Sequence, residues 1–161
     1  MRKIIDVFTG ELKISTGDNT IRALALGSCI AVVVYDAKNR VGGIAHIMLY
    51  GKAPDSKKDD ENKYAENAIS NLLSKMQEAG ADLEKLEFCL AGGANVLKIN
   101  DDTIAKKNCD SVLQITKEKK LKVKAKSLGG TQRRKISLDI ASGEVKLSIG
   151  DSKENIFYDF T

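Results

Sequence analysis

Histidine is almost missing from this chain: its 161 residues include one, His46. There are three cysteines, one proline and no tryptophan. An odd cysteine count with no close pair argues against a disulfide framework, and one imidazole leaves a zinc site short of ligands. Reduced thiols in a reducing compartment fit better. Aromatic residues are only 5% of the chain, which argues against a base-stacking nucleic-acid platform. No apolar run approaches the roughly 18 residues that span a bilayer. The first residues, Met1 to Asp6, are basic but lack the apolar stretch of a secretion signal. Together these absences predict a cytoplasmic protein with no membrane insertion.

The composition is that of a folded chain, 42% hydrophobic and 30% charged, and its length suits one domain over residues 1–161. The net charge is +4. Many basic residues fall between Lys98 and Arg134: Lys106, Lys107, Lys117, Lys119, Lys120, Lys122, Lys124, Lys126, Arg133 and Arg134. They read as a solvated helix face and an edge strand rather than a nucleic-acid patch. A basic surface also suits an acidic protein partner.

Short β-like segments open the chain at residues 3–7, 11–15 and 21–26, separated by turn signals at Thr9-Gly10 and Gly17-Asp18-Asn19. Two apolar stretches follow, 29–35 and 41–48, around the polar break Asp36-Ala37-Lys38-Asn39-Arg40, and they predict a β-hairpin. Its second strand is apolar on both faces, as in a sheet covered on both sides. Residues 50–63 contain the only proline and almost nothing apolar, so they read as a mobile loop, either a rim beside the site or a plain connector. Ala65, Ala68, Ile69, Leu72, Leu73 and Met76 recur at helical spacing over 64–79, with Gly80 as C-terminal cap. An apolar strand over 86–91 runs into Gly92-Gly93, which reads as a tight turn bordering the active site. Without a G-x-G-x-x-G frame the pair is weak evidence for a nucleotide. A second helix is expected over 103–118, then strands over 121–127, 135–140 and 144–149. The expected class is α/β or α+β: a compact layered sandwich of mostly antiparallel sheet with two main helices.

The chemistry-bearing pair is Cys29 and His46. A turn centred between Ala37 and Lys38 places them directly opposite on the hairpin, on one face, with Cβ atoms about 4.5–5.5 Å apart. A thiol and an imidazole so held are a nucleophile and its base. Cys29 follows Gly27-Ser28 at a bend into a strand, where a side chain can be exposed and main-chain N–H groups left free. Cys89, inside an apolar strand, and Cys109, on the second helix, read as structural.

The segments Leu26-Gly27-Ser28-Cys29-Ile30-Ala31-Val32, Tyr35-Asp36, Gly42-Gly43 and His46 with Met48-Leu49 resemble the signature of the chemoreceptor glutamine deamidase family CheD. The resemblance continues through Lys63-Tyr64-Ala65, Ala91-Gly92-Gly93-Ala94, Asn108, Leu128-Gly129-Gly130, Arg134 and Ser142-Gly143, in order and over nearly the whole chain. It implies a fold related to toxin deamidases and conversion of glutamine to glutamate on methyl-accepting chemotaxis receptors. It also implies binding of the CheC-type CheY-phosphate phosphatase, and no metal or organic cofactor. On this resemblance Cys29 attacks the carboxamide, His46 serves as acid and base, and a thioester forms. Cys29 N–H, with that of Ser28 or Ile30 beside Gly27, is a candidate oxyanion donor.

The chain departs from the family pattern at three places. The family commonly has a threonine six residues before the cysteine, where this chain has Ala23. Thr20 is nearby but off the motif, and a main-chain carbonyl can orient His46 instead, since the imidazole needs one acceptor for its second nitrogen. Ala105 and Arg133 stand where glycines are usual. The alternative function is a weakly active or inactive CheD-like binding module that regulates the phosphatase and receptors. The dyad alone would also serve a thiol protease or a transglutaminase.

Overall fold

The computed structural model describes residues 2–101 and 103–161; Met1, which opens the basic N-terminal stretch, lies outside the described residues, as does Asp102. The strands are β1 (Lys3–Asp6), β2 (Leu12–Ser15), β3 (Asn19–Leu26), β4 (Ile30–Asp36), β5 (Val41–Ile47), β6 (Glu87–Gly92), β7 (Lys122–Leu128), β8 (Arg134–Asp139), β9 (Glu144–Ile149) and β10 (Asn155–Asp159). The main helices are α1 (Ala65–Glu78) and α2 (Ile104–Glu118). One five-stranded sheet runs β1-β3-β8-β9-β10 and the other β2-β5-β4-β6-β7. The pairs β1 with β3 and β6 with β7 are parallel; the others are antiparallel. The expected α+β sandwich of mostly antiparallel sheet with two main helices is the architecture found.

The layers explain why β4 and β5 are apolar throughout. Val32, Val34, Ala45 and Ile47 face the helices and pack on Ala68, Ile69, Leu72 and Met76 of α1 and Val112 of α2. Ala31, Val33, Tyr35 and Ile44 face the other sheet and pack on Ile21, Leu26, Ile136, Leu138 and Val145. The β2-β5-β4-β6-β7 sheet is therefore the middle layer, and each large aliphatic buried there contributes about 1.5–3 kcal/mol. Helix α1 buries the stripe Ala65, Ala68, Ile69, Leu72 and Met76, spaced for one face.

The hairpin forms, but its register differs from the expected one. A strand apolar on both faces does not choose its own register; Asp36 chooses it here. Its buried carboxylate accepts from Lys38 N–H at 3.0 Å, Asn39 N–H at 3.1 Å and Asp82 N–H at 2.8 Å. Asp36 therefore pairs with Val41 around a four-residue loop, and the turn is centred one position later than expected. His46 comes to lie opposite Ala31, not opposite Cys29. The displacement is two residues, so Cys29, just before β4, and His46 keep the same face.

Residues 50–63 loop out and return. Met48 N–H and Leu49 N–H both donate to Lys63 O, at 2.9 and 2.8 Å, and Asp55–Lys63 winds into short 3-10 turns with no buried residue. The strand β10, which the sequence pattern did not mark, covers the outer edge beside β9.

Candidate active site

Cys29 sits on the short link that carries the chain from one sheet to the other. Near the end of β3 the pairing with β8 shifts between Ala23 and Leu26, and Ala25 takes φ +53°. One extra residue on β3 makes this a bulge, which re-aims the strand. Gly27, Ser28 and Cys29 then cross to β4. Their three carbonyls are all held: Gly27 O by Ala94 N–H at 2.8 Å, Ser28 O by the Asn108 amide at 2.9 Å, and Cys29 O by Gly93 N–H at 2.9 Å.

Gly92-Gly93 is the close approach that makes this possible. Gly92 has φ +122°, and a Cβ there would collide with the Cys29 carbonyl oxygen. The turn is thus a backbone contact bordering Cys29, as the sequence pattern suggested. Arg134 supports it from behind, donating to Gly129 O at 2.7 Å and Gly92 O at 3.3 Å. This corrects the place of Arg134 among the solvated basic residues, because it is buried and its guanidinium binds main-chain carbonyls. Lys122, Lys124 and Lys126 do lie exposed along the edge strand β7.

His46 is buried against the segment that precedes β2. Its Nδ1 lies 2.8 Å from Val7 O, its main-chain N–H donates to Glu11 O at 2.9 Å, and its carbonyl accepts from Gly10 N–H at 2.9 Å. A carbonyl can only accept, so Nδ1 carries the proton and the lone pair is on Nε2. Nε2 is buried and has no hydrogen-bond partner. The ring, opposite Ala31, and the Cys29 thiol lie toward the same face of the sheet and are not hydrogen-bonded to each other.

Burial pushes the Cys29 thiol above its ordinary 9.0, partly offset by a hydrogen bond from the Thr9 side chain. Burial pushes His46 below 6.5, partly offset by the Val7 hydrogen bond. Both shifts favour neutral thiol beside neutral imidazole, an acid with a free base, rather than a standing ion pair. Thr9 is a site residue that sequence reading missed; its turn, Thr9-Gly10, was read only as punctuation. Thr20 is elsewhere, on β3 between Ile4 and Asp139 in the outer sheet. Ala23 is fully buried between the sheets opposite Ile136, and the acceptor for His46 Nδ1 is Val7 O.

The other two thiols differ in kind. Cys89 is buried in β6 and its thiol is pushed up to about 12, chiefly by burial. Cys109 is half-buried on α2, with Sγ 3.6 Å from Gly93 O.

A groove of about 460 Å³ opens at Cys29. Gly27 and Ser28 lie beside the thiol, Val96, Leu97, Ile99 and Ile104 supply apolar walls, and Arg133 is the one cation on its lining. Leu97 is 78% exposed, unusual for a leucine lining a groove beside a half-buried thiol. An apolar cleft with a few polar groups is the common form of a binding site. Among the described residues, no helix is long and apolar enough to cross a membrane.

The sequence model of a family described as CheD chemotactic sensory transduction matches residues 48–149. A probable chemoreceptor glutamine deamidase CheD from Chlorobium luteolum is 35% identical over 156 residues, 97% of this chain and 78% of that protein. The chemoreceptor glutamine deamidase CheD of Thermotoga maritima is 34% identical over 147 residues, 90% of each chain. That of Halalkalibacterium halodurans is 35% identical over 144 residues, 86% of this chain and 89% of its own. With that identity over nearly its full length, the chain belongs to the CheD family of chemotactic sensory transduction proteins.

Proposed function

We propose that this protein is a cytoplasmic chemoreceptor glutamine deamidase in which Cys29 is the nucleophile and His46 the acid and base, acting within one domain. The observation that carries the reading is the Nδ1 contact to Val7 O at 2.8 Å, which leaves Nε2 as a buried free base on the face of Cys29. Nε2 takes the thiol proton as Sγ attacks the glutamine carboxamide carbon, and the C=O electrons move onto oxygen. The oxyanion collapses, the C–N bond breaks, and His46 returns the proton to the leaving nitrogen, releasing ammonia. A thioester remains. Water attacks it, His46 takes the water proton, the C–S bond breaks, and Cys29 recovers its proton as glutamate is released. The groove lined by Leu97, Ile99 and Arg133 suits the surface of a receptor helix that presents apolar and acidic side chains around the target glutamine.

Incubation with a receptor cytoplasmic fragment is expected to release ammonia and add about one dalton per converted glutamine, and Cys29→Ala to abolish both. Equal release by Cys29→Ala would sink the mechanism. The second reading, a binding module that holds receptors or a CheC-type phosphatase without turnover, draws on Ala23 in place of a hydroxyl. It predicts retained binding of either partner by native protein and Cys29→Ala alike, with no ammonia from either.

A further inference from the structure

One side chain outside the dyad touches both segments that carry it. Asn108, on α2, is completely buried, and its Nδ2 donates to Ser28 O at 2.9 Å and to Met48 O at 3.0 Å. Ser28 immediately precedes the nucleophile, and Met48 follows His46 by two residues. Both partners are carbonyl oxygens, so the NH₂ group must be the end that faces them. That orientation leaves Oδ1 buried without a partner. An unsatisfied buried acceptor opposes folding, so an aliphatic residue would serve packing better. The amide is accounted for by what its two N–H groups hold.

What they hold has a geometric consequence. The peptide bonds are trans, and in a trans peptide the C=O of one residue and the N–H of the next point in opposite directions. The Ser28 carbonyl is drawn inward to α2. The N–H of Cys29, on the same peptide plane, therefore points away from α2. The flanking carbonyls, of Gly27 and Cys29, are held by main-chain N–H groups. The central one depends on a side chain, and that is where a substitution can act.

We propose that Asn108 is a positioning residue for the oxyanion donor: by holding Ser28 O it aims the Cys29 N–H at the oxygen that becomes negative when the thiol attacks a carbonyl carbon. Its second bond, to Met48 O, ties α2 to the segment after β5, while His46 itself is held by Val7, Glu11 and Gly10. The inference rests on the reading of Cys29 as the nucleophile, but not on the identity of the substrate.

Two reagents separate this role from a structural one. p-Nitrophenyl acetate acylates a thiol through a tetrahedral oxyanion, whereas iodoacetamide alkylates it by direct displacement at carbon with no oxyanion. The labelling rate at Cys29 is followed by peptide mass spectrometry in native protein, Asn108→Asp and Asn108→Ala. In both variants acylation should slow about 100-fold, while alkylation changes by less than about threefold. Parallel loss of both reactions, or no loss of either, overturns the proposal. So does a native Cys29 that the ester does not acylate. If a variant fails to fold, amide hydrogen exchange on native protein decides: Cys29 N–H should exchange freely, and protection of it by an internal hydrogen bond overturns the assignment. Native protein that shows the split between reagents but releases no ammonia from a receptor fragment refutes the deamidase reading and leaves the role of Asn108 standing.

Discussion

His46 Nδ1 and Val7 O lie 2.8 Å apart, so the imidazole ring is oriented by a main-chain carbonyl and not by a side chain. A carbonyl cannot be ionised, so this contact fixes the tautomer without adding charge. The pH dependence follows. His46 is held below 6.5 by burial and Cys29 above 9.0 by burial, so in the proposed mechanism the starting form is neutral imidazole with neutral thiol. kcat/KM should rise with pH through a midpoint below 6.5, as His46 loses its proton, and stay level to about pH 9. A profile that rises only through the alkaline range would mean a preformed thiolate is required. The same shift enters stability. A histidine with a lowered folded pKa contributes stability that is present above 6.5 and is lost as pH falls through the folded value. Thermal melts of native protein should show this acid loss, and those of a folded His46→Gln should show less of it.

Placing at position 23 the hydroxyl that the family resemblance implies should not help this chain. Ala23 is fully buried between the sheets, opposite Ile136, and Val7 O already takes the Nδ1 proton. Ala23→Thr adds volume and a polar group to a close-packed layer, at a cost of about 1–3 kcal/mol. The expected outcome is a lower melting temperature with kcat unchanged or reduced. A rise in kcat would show that the carbonyl is an inferior substitute.

Much of this was readable in the sequence for a definite reason, and the failures have reasons too. Apolar runs at 29–35 and 41–48 located the hairpin, and the two-faced character of its second strand announced a sheet covered on both sides. The same character made the register illegible, since a strand apolar on both sides carries no in-or-out signal. Asp36 decided it through bonds to Lys38 and Asn39, contacts that need coordinates. Cys29 and His46 stayed on one face only because the displacement was even. Val7 O could not be read as a functional atom, because a main-chain acceptor has no residue type. Thr9 and Arg134 were misjudged because turn residues and arginines are usually solvated.

Gly92 offers a sharper test of the backbone frame than any side chain. At φ +122° an L-residue is strained, and a Cβ would meet the Cys29 carbonyl oxygen, a main-chain atom with little freedom to move. Gly92→Ala should therefore displace Cys29 and release its carbonyl from Gly93 N–H. A drop in activity of at least about 100-fold with a soluble protein is expected, a size in keeping with misplacement of reacting groups by about an ångström. Normal turnover would mean that the link at residues 27–29 tolerates movement.

Thr9 should act on the thiol and little else. It is exposed, and its side-chain hydrogen bond to Cys29 partly offsets the upward push of burial. Thr9→Val removes the bond at nearly constant shape. A loss of about 1 kcal/mol would slow Cys29 alkylation at pH 8 roughly five-fold. Thr9→Ser should restore it. If Thr9→Val reacts at the native rate, the hydroxyl has no part in holding the thiol.

The groove predicts how substrate is chosen, separately from how it is cut. Leu97 and Ile99 are exposed apolar residues on its lining, and Arg133 is its cation among the described residues. None of the three bonds to Cys29 or His46. If a receptor helix lies in this groove, the contacts are made before attack and persist through it, so their loss should raise KM and spare kcat. Leu97→Asp and Arg133→Glu are each expected to raise KM for a receptor fragment about ten-fold, equivalent to roughly 1.4 kcal/mol of binding. The Arg133→Glu effect should shrink as salt is raised, because an exposed pair is screened beyond about 10 Å at 0.1 M, whereas that of Leu97→Asp should persist. A fall in kcat without a change in KM would move these residues out of the binding surface and into the chemistry.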